Sequence, residues 1–183
     1  YDVIRPSFYH AADAYDKHEQ KKINDPKLLS NINYARGYVG VVKYTIKFCI
    51  KNNMKLIIPL KRDKRYSTKA SKFEFEFFKK YLRKEEFDYF QKNLLEKERD
   101  NFSSYRAVLN SKVTVGIGST LLKDKLGTGG KILSCNLTKA DVYNFPIGGI
   151  CTLNNCTYLE FEKRLLEIYS ISSEDFFSKI DKK

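Results

Sequence analysis

The sequence predicts an α/β fold in which a mostly parallel sheet is flanked by helices on both faces. A β-branched run at Val113–Ile117, a short helical pattern at Leu121–Leu126 and a second apolar run at Lys131–Cys135 follow one another as strand, helix and strand. Further short apolar runs lie at Met54–Leu60 and Ile147–Leu153. Because helical patterns separate these runs, we expect the strands to pair in parallel.

The predicted helices share apolar or aromatic residues at spacings of three and four. They cover Leu28–Asn53, Phe73–Leu82, Phe87–Leu95, Tyr105–Leu109, Tyr158–Tyr169 and a last helix that Ser172 or Ser173 caps. Residues 1–27 are predicted to be a connecting segment with a turn of helix at Ala11–Gln20. Residues 28–183 are predicted to form one Rossmann-like domain.

Composition limits the class of protein. Of the 183 residues, 42% are apolar and 14% aromatic, which favours a folded chain with a buried core. No apolar run approaches the roughly 20 residues of a membrane span, and no signal peptide opens the chain. We therefore expect a cytoplasmic protein, and its positive charge would allow peripheral attachment to the inner face of a membrane. The first residue is Tyr1, so the chain is expected to be a piece of a longer protein.

The four cysteines predict no metal site. Cys49 and Cys135 lie in apolar runs and are expected to be buried. Cys151 and Cys156 are close in sequence, but no second pair stands at zinc spacing. Four cysteines in a chain of this length also do not form a disulfide framework, which favours a reducing compartment.

The segment Gly116-Ile117-Gly118-Ser119-Thr120 is the most informative motif. It joins a strand to a helix, where free N–H groups and the helix dipole attract anions. Gly116 and Gly118 allow a ligand to approach the backbone, and Ser119 and Thr120 add hydroxyl donors. The sequence therefore predicts a phosphate-binding turn. It is neither a P-loop nor a dinucleotide fingerprint, and the alternative is a helix N-cap without a ligand.

A basic loop follows the first predicted strand and begins with Lys61 and Arg62. The carboxyl ends of parallel strands share one edge of a sheet, and ligands bind there. A diphosphate between a helix N-terminus and one or two cations would be well held. The alternative is that this loop is an ordinary solvated surface.

The run from Ser111 to Asn136 resembles the C-terminal nucleotide-sugar-binding half of GT-B glycosyltransferases, including the Kdo-transferase-like enzymes of bacterial surface-carbohydrate synthesis. Gly118-Ser119-Thr120-Leu121-Leu122 matches the phosphate turn, and Gly130-Lys131-Ile132-Leu133 matches the next strand entry. Asp124 stands where the family usually has glutamate, and Lys125 where it often has a packed alanine.

The resemblance implies transfer of a sugar from a nucleotide-activated donor to a glycan or lipid-linked acceptor. The donor phosphate would lie at Ser119 and Thr120, and Lys61 or Arg62 would neutralise the leaving nucleotide. Asp124 would contact the donor, and Gly148 and Gly149 would form the floor of its pocket. No metal or other cofactor is implied, because the nucleotide-sugar is a substrate, and the catalytic base is left unassigned.

A second interpretation starts from the charge of +12, with 34 lysines and arginines against 22 acids. A basic module could bind nucleic acid or an anionic membrane surface without catalysis. The aromatic run at Lys72–Lys79 alternates phenylalanine with glutamate, and glutamate repels phosphate. Because no RRM, KH or zinc-finger signature is present either, nucleic acid is the less favoured partner.

Overall fold

The computed structural model describes residues 26–59, 69–95 and 102–181. The chain divides into two compact units, Tyr1–Ser104 and Tyr105–Lys183. Residues 1–25 and the basic loop with Lys61 and Arg62 lie outside the described residues. The extent predicted for a donor-binding domain, residues 28–183, stays a prediction.

Three helices form the described part of the first unit: α1 (Pro26–Lys51), α2 (Lys69–Tyr81) and α3 (Lys84–Lys92). Helix α3 contacts both α1 and α2. Helix α1 begins at a proline, whose fixed φ suits the first turn, where its missing N–H costs nothing. These helices lie where the periodicity of the sequence predicts them.

Aromatic rings form the core of the first unit. The Phe78 ring lies 4.8 Å from the Phe90 ring and 5.8 Å from the Tyr38 ring, measured between centroids. Phe77 and Phe78 are buried, whereas Glu76 between the phenylalanines is exposed. Phe77 and Phe78, which end the run that alternates phenylalanine with glutamate, therefore pack into the core of the first unit.

The strand predicted at Met54–Leu60 is a single parallel bridge between Ile58 and Leu94. The Ile58 N–H donates to the Asn93 carbonyl at 2.9 Å, and the Leu95 N–H donates to the Ile58 carbonyl at 3.0 Å. The apolar run therefore predicts more strand than the described residues form here.

The second unit contains the sheet. Helix α4 (Ser103–Asn110) ends just before it, and the remaining elements are β1 (Val113–Gly116), α5 (Thr120–Gly127), β2 (Lys131–Asn136), β3 (Thr152–Asn154), α6 (Tyr158–Ser170) and α7 (Ser173–Ser178). The sheet has the order β1-β2-β3 and both pairs are parallel. Helix α5 packs on β1 and β2, and α6 packs on β2. The prediction of a parallel sheet flanked by helices is confirmed.

The connection from β2 to β3 differs from the strand–helix alternation that the sequence predicts. It carries only a 3-10 turn, Asp141–Tyr143. The strand predicted at Ile147–Leu153 is also shorter and later, because the chain turns at Gly149, which has a φ of +79°. Only from Thr152 onward does it pair with β2.

The ammonium groups of two buried lysines donate hydrogen bonds to backbone carbonyls at helix C-termini. The Lys125 Nζ donates to the carbonyls of Leu109 and Ser111, each at 2.7 Å. The Lys131 Nζ donates to the Ile171 carbonyl at 2.7 Å. Burial lowers the pKa of both ammonium groups. Each lysine satisfies carbonyls at or just beyond a helix C-terminus, where the helix dipole favours a cation.

Within the described ranges, every helix is either too short or too polar to cross a lipid bilayer.

Candidate functional site

Three segments lie where the parallel strands end: residues 117–120 after β1, 137–145 after β2 and 155–157 after β3. We call them the carboxyl edge. Neighbouring strands bring these segments together, since Gly116 pairs with Ser134 and Asn136 pairs with Asn154. Open α/β sheets bind their ligands at this edge.

The turn after β1 is built around Gly118 and Ser119. Gly118 has a φ of +47°, in the left-handed region that favours glycine. Ser119 is the N-cap of α5, and its Oγ accepts a hydrogen bond from the Leu121 N–H at 3.2 Å. The Gly118 N–H donates to the Ser134 Oγ at 3.4 Å, which links the turn to β2. Ser119 therefore caps α5, and this cap lies at the carboxyl edge.

The other predicted residues of this segment have different surroundings. A β-carbon at Gly116 would lie 3.4 Å from Leu122, so the glycine lets α5 pack closely on β1. Thr120 is exposed at the first position of α5. Asp124 is exposed one turn further along the same helix. The structure thus gathers Gly118, Ser119 and Thr120 into one turn.

Two helices begin at the carboxyl edge, and their first turns differ in charge. The first turn of α6 carries Glu160, whose carboxylate accepts hydrogen bonds from the Thr157 N–H at 2.7 Å and the Thr157 Oγ1 at 2.8 Å. These bonds hold the pKa of Glu160 below its usual value. The first turn of α5 has no acidic residue. An incoming anion would therefore favour the α5 end.

Asn136 organises the segment after β2, and the sequence-based search did not select it. Its Oδ1 accepts from the Thr138 N–H at 2.9 Å and the Thr138 Oγ1 at 2.6 Å. Its Nδ2 donates to the Ala140 carbonyl at 3.0 Å and to the Asn144 Oδ1 at 2.6 Å. The side chain is 1% exposed, so all of these partners are needed. The sequence does contain one signal for this role, because Asn136 is a polar residue directly after an apolar strand.

The Asn136 network brings the 3-10 turn to Gly118. Asn144 donates onward to the Asp141 Oδ1 at 3.1 Å, which ties down the start of that turn. The carbonyl oxygen of Tyr143, its last residue, lies against Gly118. The turn after β1 is therefore held from β2 by two routes, Ser134 and the Asn136 network.

Gly148 and Gly149 lie against Lys179–Asp181, the residues that follow α7. Space for a β-carbon at Gly149 is taken by the backbone of Lys179–Asp181, and at Gly148 by the Asp181 side chain. Gly149 pairs with Ile180 in an antiparallel bridge. In the structure these glycines serve close packing, and their contact with a donor stays a prediction.

Arg164 of α6 binds the backbone of the same loop. Its Nη1 donates to the carbonyls of Gly149, Ile150 and Thr152 at 3.0 to 3.2 Å. A guanidinium that binds three backbone carbonyls holds the entry to β3 in place. Among the residues described, no group of three or more His, Cys, Asp and Glu side chains is placed to hold a metal ion.

The chain matches the family described as "putative O-antigen biosynthesis protein" over residues 8–147. That range contains β1, α5 and β2, with every predicted site residue except Gly148 and Gly149. No curated protein and no solved structure shows significant similarity to the chain. Because the match covers more than half of its 183 residues, the chain belongs to this O-antigen biosynthesis family.

Proposed function

We propose that this chain is the donor-binding part of a glycosyltransferase of surface-carbohydrate biosynthesis, and that the turn at Gly118-Ser119-Thr120 binds the diphosphate of a nucleotide-sugar. The observation that carries the proposal is the position of this turn. It lies at the carboxyl edge of a parallel sheet and opens a helix with no acidic residue in its first turn. The O-antigen biosynthesis family supports the carbohydrate substrate.

The capping role of Ser119 is compatible with phosphate binding. A serine hydroxyl has two lone pairs and one proton. One lone pair accepts from the Leu121 N–H, and the proton can point outward to a phosphate oxygen. The exposed Thr120 hydroxyl adds a second donor. The same residue can therefore start the helix and contact the ligand.

The chemical contribution of this turn would be electrostatic. Sugar transfer leaves a nucleoside diphosphate with growing negative charge, and preorganised N–H and O–H donors stabilise such charge. Lys61 and Arg62 would add cationic neutralisation, and Asp124, Gly148 and Gly149 are proposed donor contacts. We propose a GT-B arrangement without a metal cofactor, with the acceptor, a glycan or lipid-linked glycan, bound elsewhere in the complete protein.

A thermal-shift panel tests the proposal. The chain is heated with CMP, UMP, UDP, GDP and ADP and with the corresponding sugar nucleotides. A ligand at a hundredfold excess over Kd raises stability by about 2.7 kcal/mol, which shifts the melting temperature measurably. We expect one base to stabilise the chain, and its diphosphate form to do so more than its monophosphate. A panel in which no nucleotide shifts the transition would argue against the donor site.

The same preparation tests the alternative of a non-catalytic basic module. Sedimentation with neutral and anionic vesicles, and a gel shift with single-stranded RNA, measure binding to the two kinds of polyanion. Vesicle binding together with a nucleotide shift would fit an enzyme that meets its acceptor at a membrane surface. Polyanion binding without any nucleotide shift would favour the alternative.

A further inference from the structure

Two cysteines that are 21 residues apart in sequence meet at the carboxyl edge. The Sγ atoms of Cys135 and Cys156 lie 3.6 Å apart, and both residues are free thiols. The other two cysteines have different surroundings. The Cys151 thiol points to the carbonyls of Ile147 and Gly148, and Cys49 is buried in α1 of the other unit.

The backbone already holds the two cysteines side by side. Cys135 is in the fully buried strand β2, where it pairs with Leu153 of β3. The Asn155 N–H donates to the Asn136 carbonyl at 2.7 Å, so the residues next to both cysteines are hydrogen-bonded. A disulfide has an S–S length of about 2.05 Å, so the sulfur atoms need to approach by only about 1.5 Å.

The two thiols are not equivalent. Cys156 is half-buried and directly precedes Thr157, the N-cap of α6, so the positive end of the helix dipole favours its thiolate. The hydrogen bond from Cys135 lowers the pKa of Cys156, and burial of Cys156 opposes this. Donating that bond, together with burial, raises the pKa of Cys135. Arg164 favours the Cys156 thiolate, and Glu160 opposes it.

We propose that Cys156 and Cys135 form a redox-sensitive pair, in which a peroxide oxidises Cys156 and Cys135 then closes a disulfide across the carboxyl edge. This inference is independent of the proposed donor site. It assigns Cys156 as the reactive thiol because it has solvent access and lies at a helix N-terminus, and Cys135 as the resolving thiol because it is buried beside it.

The reaction balances with hydrogen peroxide as the oxidant. The Cys156 thiolate attacks one peroxide oxygen, the O–O bond breaks, and the departing hydroxide takes a proton to leave water and a sulfenic acid on Cys156. The Cys135 sulfur then attacks the Cys156 sulfur and loses its proton. The S–O bond breaks, and the hydroxide leaves as a second water. Two thiols are oxidised by two electrons, and one peroxide is reduced.

The disulfide would join the end of β2 to the start of α6. It would enclose residues 137–145, the segment that the Asn136 network orders and that places Tyr143 against Gly118. Oxidation would therefore add a covalent link across the carboxyl edge.

The test is a peroxide titration of the whole chain, followed by denaturation, alkylation of the remaining thiols and peptide mapping. We expect two of the four thiols to be lost together and a linked peptide pair containing Cys135 and Cys156. The link should be reversible by dithiothreitol. In Cys135→Ser, dimedone should trap a sulfenic acid on Cys156. The matched control Cys151→Ser should form the same disulfide as wild type.

The wild-type map alone can overturn the proposal, whether or not the serine variants fold. Oxidation of Cys49 or Cys151 at the same rate as Cys156 would contradict it. So would a disulfide that joins two chains, or four alkylated thiols after a peroxide dose that fully oxidises a cysteine-containing reference peptide.

Discussion

The carbonyl oxygen of Tyr143 lies only 3.3 Å from the point where a β-carbon on Gly118 would stand. Gly118 also has a φ of +47°, where side chains with a β-carbon are strained. The contact joins the segment after β2 to the turn after β1. The shape of the candidate phosphate site therefore depends on a glycine at this position and on the placement of the 3-10 turn Asp141–Tyr143.

Gly118→Ala should destabilise the chain by about 1 to 2 kcal/mol, since the left-handed conformation alone costs this much for a residue with a β-carbon. Urea unfolding followed by circular dichroism measures the change. Gly127→Ala is the matched control. Gly127 is the last residue of α5, and nothing lies within 4 Å of its β-carbon position. The control should be neutral or slightly stabilising. Equal effects of the two substitutions would contradict the account of Gly118.

Asn136→Asp should loosen the carboxyl edge while it preserves the size of the side chain. The aspartate can still accept from Thr138, but it cannot donate to the Ala140 carbonyl or to the Asn144 Oδ1. We expect a loss of about 1 to 3 kcal/mol, the usual cost of leaving buried polar groups unpaired.

Hydrogen exchange of residues 137–145 locates that effect. Protection should fall there in Asn136→Asp and stay unchanged in the sheet. Asn154→Asp is the control, because Asn154 ends β3 and is exposed. An unchanged exchange pattern in Asn136→Asp would rule out the organising role of this side chain.

Glu86 should make the first unit sensitive to acid. Burial of Glu86 opposes its ionisation, but hydrogen bonds from the Arg83 Nη2 and the Arg83 N–H, both at 2.9 Å, outweigh burial and lower its pKa. A carboxyl with a lowered folded-state pKa stabilises the protein above its unfolded pKa of about 4.3. That stabilisation is lost as the pH falls through the folded-state pKa.

The measurement is the free energy of unfolding between pH 7 and pH 3. Glu86→Gln should lower it by about 1 kcal/mol at pH 7 and leave a shallower decline toward acid than wild type has. Glu85→Gln, an exposed neighbour on α3, should keep the wild-type slope. Identical slopes for all three proteins would show that the Arg83 contacts do not stabilise the carboxylate.

The fold class follows from the sequence because helix and strand periodicities differ and because the unit β1-α5-β2 is contiguous. Ser119 was also identifiable, since a serine between a strand and a helical run is a common N-cap. Met54–Leu60 was less predictable. Its apolar pattern suits a strand, yet a strand forms only where it finds a partner strand, and the described residues pair through the single Ile58–Leu94 bridge.

The parts of the site that the sequence could not predict depend on contacts between distant residues. Asn136 is one polar residue among many until the segment after β2 folds back onto it. Cys151 and Cys156 are the nearer pair in sequence, yet strand pairing brings Cys135 to Cys156. Lysine is usually exposed, so the sequence does not predict that Lys125 is buried. Its burial is explained by the hydrogen bonds to the carbonyls of Leu109 and Ser111.

The most direct test of the central claim is a charge placed at Ser119 without loss of the helix cap. Aspartate caps helices as well as serine does, so Ser119→Asp should fold with nearly wild-type stability. Its carboxylate would repel a diphosphate at the α5 N-terminus by about 1 to 4 kcal/mol at 4 Å. Ser119→Asn is the matched control, because asparagine caps helices as well as serine and aspartate do but carries no charge. Isothermal titration with the nucleoside diphosphate that the panel selects should show affinity about tenfold or more lower in Ser119→Asp than in Ser119→Asn. Wild-type affinity in a folded Ser119→Asp variant would contradict the assignment of this turn as the phosphate site.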